Sequence, residues 1–192
     1  MSPANVRDER QEAILTAAQK MIAEHGVESV TMKQLATETG LSRPAIYQYF
    51  ASLEHILAEL VINEIADLSN AIDEHVAKVL DPMEQVRIWI HYALAHLSSQ
   101  DHRAIREISI ESLPVDSRGM VRAMHGHFMT ALVNPIAELG AKDVTATCHL
   151  IYATVAAAAK RIDEGSDFVR EAAALEQFTI AGIAGALRPS EL

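Results

Sequence analysis

The strongest constraint on this chain is a pair of short helical runs separated by a glycine. In the stretch TMKQLATETGLSRPAIYQYF, Thr31 and Ser42 each precede residues of helical spacing, and Gly40 falls between them. A hydroxyl just before a helix accepts one of its unpaired N–H groups. Glycine tolerates the positive φ that closes a helix. Pro44 suits a first turn, where no N–H is needed. Leu35 and Ala36 face inward from the first helix and pack on Leu41 and Ile46, and Ile46 and Phe50 form the inner face of the second. The small Ala36 side chain lets the two helices cross closely. Two short helices joined by a tight glycine turn make a helix-turn-helix. A longer helix, about residues 6–24, comes before them with a stripe of Ile14, Ala17, Ala18, Met21 and Ile22.

The remainder also reads as helix. Apolar residues recur at helical spacing, and no useful stretch alternates as a strand would. One long helix follows from Leu53. Another starts at Asp81-Pro82, and a shorter one covers about 101–111. The next spans about 118–139, with Asn134-Pro135 expected to kink or end it early. Two more cover about 144–162 and 168–187. The expectation is an all-α chain of about nine helices, with a three-helix domain at 1–51 and a larger helical domain at 52–192.

Charge does not advertise a nucleic-acid partner. The chain of 192 residues has a formal net charge of −10. That argues against binding nucleic acid by bulk attraction. Residues 1–51, however, hold five basic and six acidic side chains, while the rest hold eleven and twenty. The acidity therefore lies almost wholly outside the helix-turn-helix. The single cysteine, Cys148, rules out an intramolecular disulfide framework and a zinc site of several thiolates. The first residues lack the pattern of a signal peptide, and no run approaches the ~18 apolar residues of a membrane span. A soluble, cytoplasmic protein with no membrane partner is the expectation.

The second short helix exposes Arg43, Ala45, Tyr47, Gln48 and Tyr49. Arg donates two hydrogen bonds to guanine, Gln pairs with adenine, and Ala meets a thymine methyl. Tyr hydroxyls, Ser42 and helix N-terminal amides suit phosphate. Residues 10–57, from Arg10, Ile14-Leu15 and Ala17-Ala18 through Gly26, Thr31, Leu35-Ala36, Gly40-Leu41-Ser42, Ile46-Tyr47, Tyr49-Phe50, Ser52, Glu54 and Leu57, resemble the TetR family of transcriptional regulators. The resemblance implies a homodimer on a palindromic operator of double-stranded DNA, usually acting as a repressor, with a C-terminal domain that senses a small molecule. By position, Thr31 and Ser42 match capping and phosphate-contacting residues, and Arg43, Ala45 and Gln48 match base-reading ones. Tyr47 and Tyr49 match phosphate contacts, and Lys33 sits where a backbone contact fits. Leu53 departs from the family, which commonly has Lys there. The loss of that cation should weaken binding to the DNA backbone and its salt dependence.

The C-terminal part shows no catalytic motif and no sign of a cofactor. The resemblance implies a ligand cavity among its central helices. Trp89, Met124, Phe128 and Tyr152 are the candidate lining, and Tyr92, His96, His125 and His149 the candidate polar handles. No metal site is expected. His125 and His127 point about 200° apart on a helix, His91 and His96 share no face, and no HxxxH or CxxC spacing occurs. The last two helices are rich in Ala and Gly, with Phe178, Ile183 and Leu187 as larger knobs, which fits a homodimer formed through them. A different class, an all-helical enzyme or sequestering protein with a vestigial helix-turn-helix, is motivated by the His and acidic residues of this part. Against it, general acid–base work needs a positioned pair, and none is evident.

Overall fold

The computed structural model describes residues 3–186, and Leu187 lies outside them. Among the described residues there are nine α-helices and no strand, so the all-α expectation holds. They are α1 (Pro3–His25), α2 (Met32–Thr39), α3 (Arg43–Tyr47), α4 (Leu53–Val76), α5 (Pro82–Leu97), α6 (Gln100–Ile105), α7 (Val115–Glu138), α8 (Val144–Asp163) and α9 (Phe168–Ala186). Their contacts group into two compact units. The first runs through Glu64 and adds Gln100–Met124; the second comprises Ile65–Ser99 and the chain from His125 onward.

In the first unit α1 packs on α2 and α6, and α2 packs on α3. Ile14, Ala18 and Ile22 form the buried stripe of α1, with Leu35 of α2 and Ile46 of α3 also buried. Ile105, Ile108 and Leu113 bring a later segment into the same unit. That segment differs from the sequence expectation. The helix starting near residue 101 stops at Ile105, and a 3₁₀ turn covers Ile110–Ser112. Ile108-Ser109-Ile110 disfavours helix through its β-branched residues and Ser. The backbone instead tightens, with Ile108 N–H donating to Ile105 O at 2.9 Å.

In the second unit α5, α8 and α9 pack on one another. Their starts are capped by carboxylates. Asp81 accepts from Met83 N–H at 2.9 Å, Asp143 from Ala146 N–H at 2.8 Å, and Asp167 from Arg170 N–H at 2.9 Å. At the turn between α8 and α9, Gly165 takes a φ of 104°. Arg161 and Glu171 form an ion pair across that turn. The Arg161 guanidinium holds the Glu171 carboxyl below its ordinary value, by hydrogen bonding first. Pro135 does not end α7, which continues to Glu138. Pro135 sits in the last turn and removes one N–H bond only. Its own carbonyl still accepts from Leu139 N–H at 3.0 Å.

Candidate nucleic-acid interface

Local chemistry builds the helix-turn-helix as its sequence implies. Thr31 Oγ1 caps α2 by accepting from the Gln34 backbone N–H at 3.2 Å, and its O–H donates to Gln34 Oε1 at 2.6 Å. Gly40 closes α2 in the left-handed region, at φ 67°. Ser42 Oγ then accepts from the Ala45 N–H at 3.3 Å and starts α3, with Pro44 in its first turn. Ile46 and Phe50 are buried beneath. One turn of helical hydrogen bonding continues past Tyr47, with Gln48 N–H on Ala45 O and Phe50 N–H on Ile46 O.

The outer surface is polar. Lys33, Ser42, Arg43, Tyr47 and Gln48 are exposed, and Ala45 and Tyr49 are partly so. Two hydroxyls differ in what they have left to offer. Thr31 spends its O–H on Gln34, so a phosphate must win that hydrogen from the cap. Ser42 only accepts in its cap, which leaves its O–H to donate outward. At the start of α4, Leu53 is followed by Glu54. The Ser52 hydroxyl and the residue's own backbone N–H hold the Glu54 carboxyl below its ordinary value. A carboxylate therefore occupies the helix end where a phosphate would be attracted. Ser52 Oγ and His55 Nδ1 lie 3.0 Å apart one turn on.

The residues singled out for ligand binding are dispersed. Trp89 is fully buried, donates from Nε1 to Phe128 O at 3.2 Å and stacks on Phe128 with centroids 4.9 Å apart. Tyr152 meets Phe128 edge-on at 6.3 Å and His125 at 5.8 Å. His125 is otherwise exposed, and the cover of those rings pushes its pKa down by desolvation. Trp89, His125, Phe128 and Tyr152 thus form one ring cluster in the second unit. Tyr92 belongs elsewhere, 4.7 Å from His75 and 6.0 Å from His91. His96 is partly exposed on α5, and His149 lies on the exposed face of α8. Met124 groups with the first unit. His75 and His91, beside Tyr92, were not anticipated as its neighbours. His75 sits on the same helical stripe as Ile72, the one signal that would have drawn it in.

Residues 14–60 match the family described as "Bacterial regulatory proteins, tetR family". The chain is 27% identical over 117 residues to the HTH-type transcriptional regulator HbdR of Aromatoleum sp. (strain CIB), covering 60% of this chain and 51% of HbdR. It is 34% identical over 73 residues to the HTH-type transcriptional repressor AcnR of Corynebacterium glutamicum, 38% of this chain and 37% of AcnR. The matched stretch thus spans about half or less of these relatives' own length. Among solved structures, the transcriptional regulator FadR of Bacillus subtilis, in complex with stearoyl-CoA, aligns with a TM-score of 0.75 at 18% identity, covering 89% of this chain and 98% of FadR. PfmR of Thermus thermophilus, a TetR-family regulator, aligns at 0.71 and 22%, covering 92% and 99%. At such identity the likeness is one of fold. The helix-turn-helix, with its two hydroxyl caps and its glycine turn, lies within the stretch that matches the tetR family.

Proposed function

We propose that the protein is a DNA-binding transcriptional regulator that binds a palindromic operator as a homodimer and is released from it by a small molecule, acting as a repressor. Residues 1–51 read the DNA, and residues 52–192 bind the effector and dimerise. The observation that carries the reading is α3 itself, capped by Ser42 and presenting Arg43, Tyr47 and Gln48 outward over a buried Ile46. In this assignment Arg43, Ala45 and Gln48 read base edges, while Thr31, Lys33, Ser42, Tyr47 and Tyr49 contact the backbone. The protein works by binding and not by catalysis. No helix of the described residues is long and apolar enough to cross a membrane.

The homodimer is supported by uncovered apolar side chains on the last two helices. Leu150 of α8 and Phe178 of α9 are 69% and 65% exposed, and Ala153, Ala157, Ala181 and Gly182 are exposed with them. In a dimer the two recognition helices meet successive major grooves about 34 Å apart. An effector that binds another arrangement better shifts the population away from this spacing, by no more than its differential affinity allows. The test is selection of genomic fragments by the purified protein, with its mass measured at micromolar concentration. Recovery of one palindrome by a dimer is expected. A strict monomer, or no enrichment at low salt, sinks the reading.

The start of α4 makes a separate prediction. Leu53→Lys restores a cation next to the backbone, so affinity should rise evenly across sequences. The slope of log affinity against log salt should steepen by about 0.9, the value for one added phosphate contact. Fluorescence anisotropy over a salt series checks it. An unchanged slope places residue 53 away from phosphate.

A further inference from the structure

In the second unit the last turns of α4 and the later half of α7, with Gln85 of α5, border a cleft of about 410 Å³. On its α7 wall, His127, Ala131, Asn134 and Glu138 recur at steps of three or four residues, so they stand one above another on a single face. From His127 to Glu138 is three turns, a rise of about 16 Å. The wall opposite comes from Asp73 and Val76 of α4. The ring cluster of Trp89, His125, Phe128 and Tyr152 does not border this cleft.

The two ends of the cleft are anionic. At one, Asp73 Oδ2 accepts from His127 Nε2 at 3.2 Å, and both side chains are about half exposed. A carboxylate accepts at two oxygens, so Oδ1 remains for a second donor. At the other end, Glu138 is exposed and forms no ion pair with a described residue. Between them Val76, Ala131 and Pro135 supply an apolar floor. Pro135 has no N–H to give Ala131 O, so that carbonyl loses its helix partner. The Asn134 amide adds a further acceptor. No Lys or Arg borders the cleft. A single metal ion holds its ligands at about 2 Å and cannot reach both ends. The arrangement calls for positive charge at two separated points, with hydrocarbon in the middle.

We propose that this cleft binds a linear aliphatic diamine or polyamine, with one ammonium on Asp73, another on Glu138 and the chain between them on Val76, Ala131 and Pro135. An ammonium offers three N–H donors and no acceptor, which matches two carboxylates that only accept. The hydrocarbon covers apolar surface that water otherwise wets. Charge favours the approach as well. Residues 52–192 hold eleven basic and twenty acidic side chains, so their summed field draws cations in. The site stands on the cleft itself and is independent of the DNA-binding reading.

Isothermal titration calorimetry of the full chain at one fixed salt concentration tests this with octamethylenediamine, octylamine and magnesium. The two amines share one hydrocarbon and differ by an ammonium. Magnesium matches the diamine in charge and has no hydrocarbon. The diamine is expected to bind about three- to tenfold tighter than octylamine, the contribution of one more charge-assisted hydrogen bond on a half-exposed surface. Magnesium at the diamine's own concentration should not displace it. Asp73→Asn and Glu138→Gln should each bring the diamine down to the level of octylamine. Asp67→Asn, which removes an exposed carboxylate of α4 outside the cleft, should change nothing. Equal binding of the two amines overturns the two-ended site. An equal loss in Asp67→Asn, or displacement by magnesium, shows diffuse attraction and overturns the proposal. Diamine binding that is absent, or that survives both cleft variants unchanged, overturns it too. Circular dichroism checks each variant's fold. Should Asp73→Asn unfold for want of its bond to His127, Glu138→Gln decides alone, because Glu138 has no such bond to lose.

Discussion

Arg43→Ala is expected to cost about 1–3 kcal/mol at the preferred operator, a loss of about 5- to 150-fold, and to flatten discrimination at one base position. The reasoning starts from placement. Arg43 opens α3 on its exposed side, and the N-terminal residues of a recognition helix are those that reach base edges. A guanidinium there satisfies two acceptors of one guanine together, so its loss hurts the guanine-bearing site more than any other sequence. Tyr47→Phe behaves differently. It removes one hydroxyl from an exposed ring and should weaken binding by about 1 kcal/mol on every sequence alike. Anisotropy titrations at one fixed salt, on the operator and on versions altered one base pair at a time, separate the two. A uniform loss for Arg43→Ala reassigns that residue to the backbone. A sequence-dependent loss for Tyr47→Phe does the reverse.

The parts of this interface that were legible in the sequence are those set by local chemistry. Thr31, Gly40 and Ser42 act within one turn of themselves, so their caps and the positive φ of Gly40 follow from residue type and order. The start of α5 at Asp81-Pro82 and that of α8 after Asp143 are legible for the same reason. Pairings distant in sequence were not. Nothing local says that α6 packs on α1, because that contact spans most of a hundred positions and depends on Ile105 finding an apolar partner. The dispersal of the ligand candidates has a similar cause. Cys148, Ile151 and Val155 set the inward phase of α8, which turns His149 outward with Leu150. Chemical type alone makes His149 a candidate polar handle for a cavity that Tyr152 would line. Ser69 and Thr179, buried residues whose hydroxyls have no hydrogen-bond partner, escaped notice for the opposite reason. Each is a small polar residue in an apolar stripe, and only the missing partner sets it apart from ordinary helical serine and threonine.

Trp89 carries the largest expected effect on stability. It is the only tryptophan of the chain, fully buried at the centre of the second unit's core. Trp89→Ala removes the whole indole and the stacking on Phe128, and should destabilise by about 3–5 kcal/mol. Against a typical total of about 5–15 kcal/mol, that leaves the unit close to unfolding at ordinary temperature. Trp89→Phe isolates the polar part of the effect. It keeps a ring against Phe128 and gives up the bond from Nε1 to Phe128 O. That carbonyl lies inside α7 and remains an acceptor for the helix's own N–H. No buried group is therefore orphaned, and the hydrogen bond's share of the loss should be about 1 kcal/mol. Urea titrations followed by circular dichroism give both values, and the wild-type indole fluorescence provides a second probe. If Trp89→Phe proves as damaging as Trp89→Ala, the hydrogen bond to α7 holds the core in place more than the packing of the ring does. The stability of the second unit would then depend on how α7 is tied to α5.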